Sequence, residues 1–223
     1  MSFRAIANPE DMSPNEWNFF ERCNRLFSGL IEDLKDGGLL KTLEELPKNQ
    51  PKITETYAKI NEGYNMFLDI FEESAQLLKF IKHNAVFGFT EEKLPYLLAS
   101  VVIGEFIIIN EMFRNLMLTI LKLEDPFSEK MTLNQLLIEL EKVSTYYGKE
   151  IKKLFLTKLR NALVHLTFWI DGNKLYFCDD MKLENPSNIF ISKLIMEVKK
   201  TAIMNTSLFV LIVERYSDED IIF

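Results

Sequence analysis

Residues 94–123 read LPYLLASVVIGEFIIINEMFRNLMLTILKL, a run that is apolar on nearly every helical face. A helix of that kind buries its whole circumference, which predicts the central member of a helical bundle. A membrane span is not expected. In its most apolar part, residues 94–110, Glu105 interrupts the run and Pro95 and Gly104 lie within it, and Glu111 and Arg114 come directly after, so it falls short of the roughly 18 uncharged apolar residues that crossing a bilayer requires.

The remaining segments arrange themselves around this one. Ser13, Pro14 and Glu16 have the spacing of a capping box with proline in the first turn, which starts a helix that Gly37 and Gly38 stop. The two prolines of PKNQP mark a loop. Over residues 53–84, Tyr57, Ile60, Tyr64, Phe67, Leu68, Phe71 and Leu78 recur at helical spacing, and VFGFTEEK breaks that helix, with Thr90 as a cap for the apolar helix beginning near Leu94. After EDPFSEKMT, Thr132 and Gln135 form a second capping box ahead of Leu133, Leu136, Leu137 and Leu140. Gly148 separates that helix from one expected over residues 149–166. Asp171-Gly172-Asn173 between TFWI and KLYFCD predicts a hairpin. Asn185-Pro186-Ser187 opens a last helix whose apolar face includes Ile189, Phe190, Leu194, Ile195, Val198, Ala202, Phe209 and Ile212.

With 8 Gly and 7 Pro, the 223 residues offer few turns. They predict an all-α protein, an antiparallel helical bundle with a short β-hairpin inserted before the last helix. Residues 1–50 are expected to form a helical extension packed on a core of residues 51–223. The net charge of −7 argues against a broadly basic surface for nucleic acid, though a local basic site is compatible with it. Cys23 and Cys178 have neither metal-ligand spacing nor the density of a disulfide framework, the pattern of reduced thiols in a cytoplasmic protein. The N-terminal MSFRAIANPEDMSPNEW lacks the apolar core of a secretory signal.

The chemistry concentrates in KLRNALVHLTFWIDGNKLYF, residues 158–177. On a wheel of about 100° per residue, Ile151, Phe155, Leu159, Ala162, Leu163 and Leu166 gather on one side. Arg160, Asn161, Val164 and His165 fall on the other. Asn161 and His165 are one turn apart, and Arg160 lies roughly 140° from His165. An arginine offers a planar fork of donors to a phosphate, and a histidine exchanges a proton near neutral pH. RNA carries its own nucleophile, the 2′-hydroxyl, so its cleavage needs a base, an acid and a cation but no metal. One chain supplies one such histidine, since His83 falls near the end of the helix expected over residues 53–84, where a solvated role suits it. A symmetric dimer would bring two copies to one cleft, and exposed Val164 would suit its interface. The bland alternative has Arg160 and Asn161 satisfying local helix-end geometry and His165 bonded to nearby backbone.

LRNALVH resembles the Arg-polar-three-residues-His motif of the HEPN superfamily, helical bundles found among toxin-antitoxin, abortive-infection and CRISPR-associated ribonucleases. The order of elements over residues 55–215 is similar too. The resemblance implies a metal-independent endoribonuclease without a cofactor, acting as a homodimer on single-stranded RNA in phage defence or beside an antitoxin. Arg160 would stabilise the scissile phosphate, His165 would transfer protons, and Asn161 would orient one of them or bind substrate. One subgroup has a tyrosine two residues after the histidine that receives adenylyl groups; here that position is Thr167. Lys153 and Lys158, in the most basic stretch of the chain, would draw RNA phosphates to the cleft, or form a solvated face. Glu105 would hold Arg160 or His165 in place, or else face a partner or a buried lysine. The rival reading is a non-catalytic module of the same fold that binds a partner protein or a nucleotide.

Overall fold

The structure, a computed structural model, describes residues 12–42, 94–178 and 184–216. The PKNQP loop, the helix expected over residues 53–84, His83 and the Thr90 cap lie outside them. The described part is mostly helical, with a small antiparallel sheet ahead of the last helix. The chain divides into two compact units. One comprises residues 1–4, 62–108 and 156–199, the other residues 5–61, 109–155 and 200–223. Among the described residues no helix is long and apolar enough to cross a membrane.

The second unit contains α1 (Pro14–Asp36) and the later part of α2 (Leu94–Ile120). Glu16 accepts hydrogen bonds from the amide and the hydroxyl of Ser13, each at 2.8 Å, which fixes the start of α1. Gly37 closes α1, and Gly38 turns away at φ 69°, a conformation that favours glycine. The expected extension of α2 to residue 123 does not occur. Leu121 pairs instead with Leu40 in an isolated antiparallel bridge, with Lys41 N to Ile120 O and Lys122 N to Leu39 O both at 2.9 Å. Backbone pairing to a neighbouring strand segment thus replaces a further helical turn.

Thr132 and Gln135 exchange both capping bonds at the start of α3 (Leu133–Val143), whose Leu133, Leu136, Leu137 and Leu140 are buried as their spacing predicts. The rings of Phe27, Phe113 and Phe155 form the aromatic spine of this unit, with centroids 5.7 Å and 4.6 Å apart along the chain of contacts. Asn205 donates to the carbonyl of Ile109 at 3.0 Å, and Ser207 donates to Asn24, so α6 (Ile191–Tyr216) contributes buried polar ties as well as apolar surface here.

Two expectations around the motif fail. Gly148 is not a separator; it is buried inside a short helix, α4 (Tyr147–Lys152), where a Cβ would overlap the Leu140 carbonyl. Nor is there one helix over residues 149–166. The chain tightens to three-residue hydrogen bonds at Leu154 and Phe155, then restarts as α5 (Thr157–Val164). The break leaves the Phe155 ring packed against Phe113.

In the first unit α5 packs over a three-stranded meander of β1 (Phe168–Asp171), β2 (Lys174–Phe177) and β3 (Ser187–Phe190). Gly172, at φ 57°, takes the first position of the two-residue β1–β2 turn, the one that a type II′ turn reserves for glycine. The hairpin is therefore as predicted, but β3 is not. Ile189 and Phe190, expected on the last helix, lie in a strand in which Ile189 pairs with Leu175 and Phe190 with Lys174. Burial alternates from Asn188 to Ile191, the two-residue period of a strand, and α6 begins only at Ile191.

Because Gly148 is where α4 meets the end of α3, Gly148→Ala should destabilise the protein by about 1–3 kcal/mol, the range for overpacking a closed interior. Urea unfolding with an unchanged slope and a lowered midpoint would register it.

Candidate functional site

The motif is carried by α5 and its C-terminal turn. Leu159, Ala162 and Leu163 are buried, Arg160 and Asn161 are half-buried, and Val164 and His165 are exposed, as the wheel predicts. Leu166 departs from it: expected in the core stripe, it is 78% exposed and adopts φ 58°. The reason is a complete Schellman ending. The Thr167 amide donates to Ala162 O at 2.9 Å and the Leu166 amide to Leu163 O at 3.4 Å, a pair of bonds that requires a left-handed residue between them. Glycine ordinarily takes that position; leucine accepts roughly 1–2 kcal/mol of steric cost there. Nothing in the sequence announces it, because no glycine marks the turn.

His165 is the C-cap of α5, with φ −90° and ψ 3°, and its amide donates to Asn161 O at 2.9 Å. Asn161 and His165 are therefore joined through backbone across one turn, with a rise of about 6 Å between them. Thr167 is 6% exposed, and its hydroxyl donates to Cys178 O at 2.7 Å. The Cys178 amide returns a bond to Thr167 O at 3.0 Å. A buried hydroxyl bonded in this way fastens α5 to the end of β2.

The first unit exposes several large apolar side chains: Val164 and Leu166 on either side of His165, Trp169 on β1, Phe190 on β3 and Met196 on α6. Trp169 stacks on Tyr176 with ring centroids 5.5 Å apart and planes inclined by 7°, and Lys174 Nζ lies 5.0 Å from the Phe190 centroid. The two side chains nearest the motif in sequence, Val164 and Leu166, give the helix end an apolar rim.

Lys158 is exposed on the first turn of α5. Lys153 belongs to the other unit, as the C-cap of α4, where its ammonium is ion-paired with Glu150. Lys152 is likewise paired, with Glu141 at 2.7 Å. The basic stretch is thus divided by the helix break, and two of its lysines are engaged locally.

Glu105, on α2, is 5% exposed, and its Oε1 has no hydrogen-bond partner. Burial pushes its carboxyl up to about 7, with no cation offsetting the shift. Asn110 is buried and Glu111 half-buried. Among the described residues no three His, Cys, Asp or Glu side chains are grouped so as to hold a metal ion.

No protein-family model, curated protein sequence or solved structure matches the chain.

Leu166→Gly should raise stability by about 0.5–1 kcal/mol, since relief of left-handed strain exceeds glycine's extra chain entropy, and thermal unfolding would detect it. Glu105 has a folded pKa above its unfolded value, so the folded state binds the extra proton between about pH 4.5 and 7 and stability falls as pH rises through that window. The loss is on the order of 3 kcal/mol. The difference in unfolding free energy between the wild type and Glu105→Gln, measured from pH 4 to 8, should show that slope and flatten above it.

Proposed function

We propose that the protein is an endoribonuclease of the HEPN type, acting on single-stranded RNA at a composite site formed by two copies of the chain. The observation that carries this reading is the placement of His165 at an exposed helix end, one turn after Asn161 and on the same short helix as half-buried Arg160, with apolar Val164 and Leu166 flanking it.

In the proposed reaction one His165 accepts the proton of a ribose 2′-hydroxyl, and the 2′-oxygen attacks the adjacent phosphorus. The bond from phosphorus to the 5′-oxygen breaks, and the leaving oxygen takes a proton from the second His165. Arg160 offsets the charge that builds on the non-bridging oxygens, which suits a planar donor fork. Asn161 orients Arg160 or the substrate, and Lys158 attracts the approaching strand. The products are a 2′,3′-cyclic phosphate and a 5′-hydroxyl. No metal enters this scheme, and a role in phage defence or beside an antitoxin rests on the resemblance alone.

The exposed Val164, Leu166, Trp169, Phe190 and Met196 favour one other reading, a non-catalytic module that uses the same unit to bind a partner protein. The two readings separate in one experiment. Purified protein should cleave single-stranded RNA in the presence of EDTA to cyclic-phosphate ends, and Arg160→Ala and His165→Ala should each lower the rate at least about 100-fold, the lower bound for loss of a general acid or base. Cleavage that survives in His165→Ala would reject the catalytic assignment, and absence of cleavage in the wild type would favour the binding module.

A further inference from the structure

The second unit holds a cavity of about 660 Å³ between α1 and the turn leading into α4. It owes its shape to Gly29, where any Cβ would overlap the Tyr147 ring, so that ring lies directly against the α1 backbone. Tyr146 meets Tyr147 edge-on, at 5.0 Å and 80°, and is 66% exposed, leaving an aromatic face open at the rim. Arg22, Arg25 and Ser28 line the opposite side at three-residue steps along α1. Both arginines are exposed, and neither makes a hydrogen bond or ion pair among the described residues. Glu150 completes the lining. Its Oε1 is held by Lys153, and that bond, with the nearby charge of Arg22 assisting, keeps the carboxyl below its usual range. Glu150 is therefore charged at neutral pH, with Oε2 open to a donor.

We infer that this cavity binds a ribonucleotide. Two guanidinium groups one turn apart, neither tied to a carboxylate, repel each other and suit a phosphate placed between them, which each can grip with a fork of donors. An open tyrosine face is a platform for a planar base. A carboxylate accepts from ribose hydroxyls, as the acidic residue of dinucleotide-binding folds does. The volume falls within the range of about 300–1,000 Å³ typical of small-molecule sites. A strand of RNA fits the same chemistry less well, because the Glu150 carboxylate in the wall disfavours a run of successive phosphates. The inference does not depend on the proposed ribonuclease activity.

The test is calorimetric titration of the full chain carrying Arg160→Ala and His165→Ala, so that the motif cannot contribute binding. ATP, GTP, CTP and UTP are the probes, with tripolyphosphate and the free nucleosides as partial ligands. At least one nucleotide should bind saturably below millimolar concentration, and its nucleoside and tripolyphosphate should each bind at least about tenfold more weakly. Arg22→Ala with Arg25→Ala should weaken that nucleotide at least about tenfold, and Tyr146→Ala should weaken it while leaving tripolyphosphate unchanged. All three side chains are exposed, so circular dichroism should be unaltered. No saturation by any nucleotide, unchanged affinity in the double-arginine variant, or tripolyphosphate binding as tightly as the nucleotide would overturn the assignment. So would displacement of the nucleotide by a single-stranded RNA oligomer at lower concentration.

Discussion

Thr167 is held at three points: its amide by Ala162, its hydroxyl on the Cys178 carbonyl and its own carbonyl by the Cys178 amide. Those bonds decide how α5 ends and where β1 begins. They force the chain through a left-handed residue one position earlier and leave His165 as the last residue before the turn. The direction of the motif therefore depends on a buried threonine rather than on the helix that precedes it.

The local features were legible in the sequence. Both capping boxes, the glycine stop after α1 and the hairpin at Gly172 depend on a few neighbouring residues, and the structure forms each of them. So was the division of α5 into a buried and an open face, because that division comes from a period of 3.6. The features that the sequence concealed depend on partners distant along the chain. Phe155 breaks a helix to reach Phe113, and Leu121 leaves one to pair with Leu40. Ile189 has the spacing of a helix and the neighbours of a strand, and its pairing with Leu175 decides the matter.

The candidate site was less legible than the fold. Residue types and spacing single out Arg160, Asn161 and His165, but the exposure of Leu166 rests on a left-handed turn taken by a leucine. Lys153 looks like part of the same basic run until the break at residues 153–156 assigns it to another helix with its own ion pair. The arginines of α1 have no motif around them, and only the ring of Tyr147 lying over Gly29 gives them a cavity to line.

The chain has two tryptophans, and they fall in different units. Trp17 lies 5.4 Å from Phe20 and donates to Glu21, while Trp169 is stacked on Tyr176 in the sheet. Replacing either tryptophan with phenylalanine leaves one optical reporter in one unit, so the two single-tryptophan chains would follow the units separately, and coincident transitions in both would mean that the two melt as one cooperative body.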